Sequence, residues 1–304
     1  MRVGIGVAVC VVAMSYSVQC QESPVFDVAS VRPSKDGAEQ RSNVPLDAGN
    51  VYSTVSADDA RTAASGFFVA MHQPLWRYIT FAYKLSGTQE LSFRFSMFSG
   101  VPKSGAPFWV TGGFDSAPAY FDISARAPAD TSIDQMRLMM RALLAERFRL
   151  QMHTVEADAP VFALVLEKPN VLGPFLRVHP ATDDCKTPVA DLPPVCGVIA
   201  HVASSEPGIH LGGRGVSLTL FASSVQTMTG IAVITRPVVD QTGLSGLYDF
   251  SLTRIDVPGG EETASENAAN FMDALRKQLG LRLKNARAPL TFWIVDRVEK
   301  PSEN

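Results

Sequence analysis

The residues able to carry chemistry are few, and their spacing excludes the familiar constellations. Five histidines occur: His72, His153, His179, His201 and His210. None belongs to an H-E-x-x-H pair, so the helix-borne zinc site of metalloproteases has no basis. His201, Glu206 and His210 would converge only if their segment formed a hairpin, and their spacing is no recognised metal pattern. His153 reads as a surface or hairpin residue. The stretch RPVVDQTGLSGLYDF (236–250) holds Asp240, Thr242, Ser245, Tyr248 and Asp249. Its G-L-S-G-L resembles a nucleophile elbow at three positions, but that triad runs serine, acid, histidine along the chain. The last histidine, His210, precedes Ser245, so this order is impossible. The stretch reads instead as a short strand, a turn at Gly243 and Gly246, and the start of another strand. Asp240 and Thr242 are then expected to bond local backbone. Asp122 and Asp249 stand at matching places in two similar strand segments. They are either paired carboxylates of the glycosidase kind, or each caps a turn or pairs with an arginine such as Arg126 or Arg254. LGGRGVSL (211–218) lacks the P-loop lysine and the dinucleotide spacing, and reads as a loop. The sequence therefore assigns no catalytic residue, no metal ligand and no cofactor.

Two cysteines give a firmer expectation. Cys185 and Cys196 lie in the proline-rich segment DDCKTPVADLPPVCG. The competing reading, half of a metal site, lacks the C-x-x-C spacing. A disulfide is expected, worth about 2–3 kcal/mol in the chain-entropy view. The amino terminus supports an oxidising destination. Arg2 is followed by an uncharged run from Val3 to Val18, and polar residues begin at Gln19. That is the pattern of a secretory signal peptide over 1–20; a membrane span needs about 20 apolar residues. Lipidation at Cys20 needs a small residue before it, and Gln19 is not one. The mature chain, about 24–304, is thus expected to be periplasmic or extracellular, without a transmembrane segment after cleavage. A hydrophobic content of 46% supports a large core, and a net charge of −3 gives no basic surplus for nucleic acid.

The elements that would position these residues show an internal similarity. MRALLAERFRLQM (140–152) aligns with FMDALRKQLGLRL (271–283), placing Met140, Leu144 and Phe148 against Phe271, Leu275 and Leu279. A spacing of four lines one helix face; the alternation that follows is strand periodicity. APVFALVLEKP (159–169) then resembles APLTFWIVDRVEKP (288–301), and YFDISARAP (120–128) resembles LYDFSLTRI (247–255), with VFDVASVRP (25–33) a third such strand. The expected unit is strand, helix, strand, hairpin, strand. It runs over about 120–127, 132–147, 148–154 and 161–167, and again over 247–255, 265–279, 281–285 and 290–298. HTVEAD and KNAR are the expected hairpin connections. Thr131 or Ser132, and Ser265, are the expected helix caps. Two more helices are expected at 74–85 and 217–230, stopped by Gly87 and Gly230. The fold class is α+β: two related strand-helix-strand-strand units, about 72–169 and 217–301, with helices packed on mostly antiparallel sheet. The stretches 34–70 and 170–215, rich in Gly, Pro, Ser and Asp, read as long surface loops or short edge strands, the second a loop insertion between the two units.

The segments FDVASVRP, FDISARAP, LLAERFRLQMH, RPVVDQTGLSGLYDF and ALRKQLGLRLKNARAPLTFWIVDRVEKPSEN together resemble a soil-associated exported family of unknown function expanded in acidobacterial genomes. The resemblance covers nearly all of 24–304. It implies export and no established activity. Relatives are also expected beside antibiotic-sensing-type membrane metallopeptidases, whose zinc motif this chain lacks. GAPFWVTGGF (105–114) departs from the family's Gly-Gly-Pro-x-Trp pattern. The expected function is a non-enzymatic binding module for an envelope protein or polymer. The candidate binding residues are Trp76, Tyr78, Asp240, Thr242, Tyr248 and Asp249. The alternatives are a secreted hydrolase with an unrecognised site, or a sensor domain for a membrane partner.

Overall fold

A computed structural model describes residues 24–46, 51–52, 66–95, 100–113, 116–230, 233–259 and 263–301, and the statements below concern those residues. The leader expected over 1–20 lies outside them. Among the described residues no helix is long and apolar enough to cross a membrane.

The chain forms an α+β fold. Its first part contains β1 (Val28–Pro33), β2 (Arg41–Ser42), β3 (Val51–Tyr52), β4 (Phe67–Pro74), α1 (Leu75–Tyr83), α2 (Gly87–Arg94), α3 (Phe108–Thr111), β5 (Tyr120–Arg126), α4 (Ile133–Phe148) and β6 (Gln151–Leu166). Next come β7 (Leu176–Val178), β8 (Val198–His201), β9 (Ile209–Val216), α5 (Leu218–Thr229), β10 (Val238–Asp240), β11 (Tyr248–Arg254) and α6 (Ala264–Ala274). The π-helical turn Leu275–Leu279 then leads into β12 (Leu281–Arg297). The order strand, helix, strand, helix, strand thus occurs twice, as β4-α1-β5-α4-β6 and as β9-α5-β11-α6-β12. α2, α3 and β10 are inserted.

Three sheets result, ordered β1-β5-β4-β2, β3-β8-β9-β11-β7 and β10-β6-β12. All pairings are antiparallel except β3 with β8 and β10 with β6. Helix α4 starts at a capping box, Ser132 with Gln135, and ends on Arg149 in the left-handed region. Its stripe Met136, Met140, Leu144 and Phe148 is buried, as are Phe271, Leu275 and Leu279 on α6 and the π-helical turn. Each buried phenylalanine contributes roughly 1.5–3 kcal/mol. Ser265 is not the cap expected; it lies inside the first turn of α6, and Thr263 holds the N-cap position.

The expected hairpins do not form. HTVEAD and KNAR lie within two long uninterrupted strands, β6 and β12, paired from Gln151↔Arg297 to Leu166↔Leu281. Polarity there reflects exposure of a two-stranded ribbon rather than a turn. Pro160 and Pro289 are tolerated because proline needs only an edge position without a ladder donor. β12 has no second strand neighbour, and β10 joins β6 only from Phe162 onward. The ribbon also connects two cores. Leu150, Met152, Trp293 and Val295 pack with the core built on β4, β5, α1 and α4. Leu164, Leu166, Leu281 and Leu283 pack with the core of β9, β11, α5 and α6. Each ribbon strand begins in one core and ends in the other.

Segment 170–215 contains strands as well as loop, and of these only β7 stands at a sheet edge. It supplies β7, β8 and β9, and the supposed glycine loop 211–218 is mostly the buried strand β9. Gly213 packs against the Phe250 ring, which would collide with any Cβ there. The glycines are a packing requirement, not a loop signal.

Candidate functional site

The aromatic residues expected at a binding surface are buried, Trp76 and Tyr78 in the first core and Tyr248 in the second. Tyr78 is fully buried, and its hydroxyl lies 3.0 Å from the Ala70 carbonyl and 2.9 Å from that of Phe121. Burial pushes its ionisation up, out of reach near neutrality. Trp76 is nearly buried beneath Arg94, whose guanidinium sits 3.7 Å from the ring centre. Tyr248 is buried in the second core, with its hydroxyl donating to the Ser245 carbonyl at 3.1 Å.

Asp122 and Asp249 are not a carboxylate pair. They belong to different sheets, on β5 and β11, and each pins a β-bulge. The bulges lie just before α1 and α5 and contain a residue of positive φ, His72 (51°) and Gly215 (59°). The His72 amide donates to Asp122 Oδ1 at 2.8 Å, and the Gly215 amide to Asp249 Oδ1 at 2.9 Å. A bulge leaves one donor out of the ladder, and the carboxylate supplies its acceptor. Neither Arg126 nor Arg254 is the partner expected. Arg254 pairs with Asp256 at 3.0 Å, while Arg177 of β7 faces Asp249 at 3.5 Å.

The stretch 236–250 forms β10, a turn and β11. Asp240 Oδ1 accepts from the Thr242 amide (3.0 Å) and hydroxyl (2.8 Å), and Oδ2 from the Thr219 hydroxyl at 3.1 Å. Gly243 and Gly246 have positive φ. Asp240 also lines a cleft of about 230 Å³ where α2, α5, β10 and the middle of β12 meet. Ser86, Thr88, Ser92, Thr219, Ser223 and Thr291 line it together with the apolar Val238, Pro289 and Leu290. Most are already engaged: Ser92 bonds the Thr88 carbonyl at 2.8 Å and Ser223 the Leu220 carbonyl at 3.0 Å. The Thr88 hydroxyl is buried with no protein partner among the described residues.

The cleft depends on α2, which lies beyond the helix stop expected at Gly87. Gly87 instead opens α2, behind a capping box of Ser86 and Gln89. A Cβ on Gly87 would lie 2.5 Å from the Ser223 carbonyl oxygen, so glycine is what lets α2 close on α5. The Ser-x-x-Gln spacing is the local signal that marks this helix.

A second cluster joins residues far apart in sequence. Cys185 and Cys196 form the expected disulfide, with Cα atoms 5.5 Å apart. His179 Nδ1 faces Asp249 Oδ1 at 2.8 Å, and its Nε2 lies 3.8 Å from Cys196 Sγ. The fully buried Arg214 of β9 grips Asp183 with Nε at 2.9 Å and Nη2 at 2.6 Å. That fork holds the Asp183 carboxyl below its ordinary range, helped by the Cys185 amide. His179, Asp183, Cys185 and Cys196 offer donor atoms within 4.8 Å of one another. In the oxidised chain the sulfurs are not thiolates, and the carboxylate and Nδ1 are engaged, so the cluster is no metal ligand set as it stands. His201, Glu206 and His210 do not converge: His210 lies 3.0 Å from the Thr253 hydroxyl and 2.8 Å from the Glu206 carbonyl. Exposed His153 faces Asp296 across the ribbon at 2.9 Å.

Comparison with curated proteins finds no match, and comparison with solved structures finds none. One family profile, described as a protein of unknown function (DUF3738), matches residues 77–298. The match runs from α1 to the end of the ribbon, taking in most of both cores, the cleft and the cystine cluster. The chain belongs to the DUF3738 family of proteins of unknown function.

Proposed function

We propose that the mature chain is an exported binding module that holds a hydroxylated segment of an envelope polymer in the α2–α5–β12 cleft. The observation that carries this reading is the lining: six hydroxyl-bearing residues and the carboxylate residue Asp240 share the cleft with the apolar Val238, Val239, Pro289 and Leu290. Hydroxyls both donate and accept, so they match the hydroxyl and amide groups of a glycan, while the apolar residues take its C–H faces. Export is supported by the leader pattern of 1–20 and by a disulfide, which persists in oxidising compartments.

Co-sedimentation of the purified mature protein with isolated cell-wall sacculi tests the reading. Thr291→Val keeps the volume and removes a hydroxyl. It is expected to weaken binding about fivefold, the equivalent of one hydrogen bond of about 1 kcal/mol. Saturable binding that Thr291→Val and Thr219→Val leave unchanged would move the ligand elsewhere. No sedimentation with sacculi would remove the polymer assignment.

A further inference from the structure

We propose that the Cys185–Cys196 cystine is a thiol–disulfide exchange site in which Cys196 is the leaving sulfur and His179, oriented by Asp249, receives it as an ion pair. The two sulfurs have unlike surroundings. Cys196 Sγ faces the imidazole Nε2 of His179 at 3.8 Å, whereas Cys185 Sγ faces the carbonyl oxygen of Asp183 at 3.8 Å. A protonated imidazole stabilises a thiolate beside it, and a carbonyl oxygen opposes one. The ring is fixed for this task. Its Nδ1–H donates to Asp249 at 2.8 Å, and both side chains are nearly buried. Both cysteines are half-buried, and neither lies in the closed core.

The remaining charges nearby balance one another. Asp183 is taken by Arg214 of β9, and Arg177 of β7 stands 3.5 Å from Asp249 of β11. Gly215 leaves the space open, since a Cβ there would come within 3.3 Å of both Cys196 Cβ and His179 Nε2. Pinning the bulge does not require this arrangement. In the first unit Asp122 pins its bulge while the His72 ring stacks on Tyr120 at 4.2 Å and bonds Ser34. The line Asp249–His179–Cys196 is an addition to the shared scaffold.

The reaction needs an external thiol reductant. Its thiolate attacks Cys185 Sγ, the S–S bond breaks, and the electron pair goes to Cys196 Sγ, leaving a mixed disulfide on Cys185. His179 takes up a proton at Nε2 and holds the new thiolate. A second reductant thiolate then displaces Cys185, so the cystine gains two electrons and two protons and the reductant leaves as its disulfide.

The test treats the oxidised mature protein with limiting reduced glutathione, traps with acid and maps the mixed disulfide by peptide mass spectrometry. The expected result is glutathione on Cys185 at least about tenfold over Cys196, a preference lost in His179→Gln. Equal partition, preference for Cys196, or a cystine inert to glutathione would overturn the proposal. In Cys185→Ser, the pH midpoint for alkylation of Cys196 by iodoacetamide should fall below about 7.5 and return to about 8.5 when His179→Gln is added. A midpoint that ignores His179 would also overturn it. Should Cys185→Ser fail to fold, the wild-type partition decides alone.

Discussion

Three carboxylates carry structural duties that can be measured singly. Asp122→Asn and Asp249→Asn each replace a charged acceptor for a bulge amide, and each is expected to cost about 1–3 kcal/mol in urea unfolding. Asp249→Asn should be the worse of the two, since His179 also loses its charged acceptor. Asp183 gives a pH signature. Its folded pKa is depressed below the ordinary 3.8, first by the Arg214 hydrogen bonds. Its contribution is therefore present above pH 3.8 and lost as pH falls through the lower folded value. Asp183→Asn should weaken the protein at neutral pH and flatten that acid-side slope; a slope identical to wild type would refute the assignment. These roles were only partly legible in sequence. The matching positions of Asp122 and Asp249 were visible, but a bulge is a register event between strands and leaves no mark on one of them. Asp249, His179 and Cys196 are brought together by topology, and the nearness of His179 to Cys185 is the sole local hint.

At the scale of elements, helices were legible where apolar residues recur every four positions, as in α4 and in α6 with its π-helical turn. Strand and turn were harder to separate. β6 and β12 read as hairpins because their middles are polar, and those middles are polar because the ribbon is exposed there. β9 read as a loop because of its glycines, yet Gly213 makes room for Phe250. Gly213→Val should therefore destabilise by about 1–3 kcal/mol or more through overpacking. Gly280, with φ of 68° and a Cβ position 2.6 Å from the Gly173 amide nitrogen, should tolerate alanine no better. Arg149 holds the equivalent left-handed cap after α4 with a side chain in place, so Arg149→Gly should be nearly neutral. Thermal unfolding of the three variants checks this contrast; a harmless Gly280→Ala would contradict it.

For the whole molecule, we read the recurring element order, the paired bulge aspartates and the matching helix-end caps as one unit used twice. The ribbon makes the two units interdependent, because each ribbon strand contributes to both cores. Calorimetry is accordingly expected to give a single cooperative transition, and two separated transitions would show that the cores stand alone. The cleft lies where the units meet, on α2 of the first and α5 and β12 of the second. The most direct measurement is hydrogen exchange by mass spectrometry, with and without solubilised sacculus fragments. The account predicts slowed exchange in peptides covering 86–92, 217–223 and 289–291 together, from both sides of the cleft. Protection confined to other surfaces, or none at saturating fragment, would contradict it.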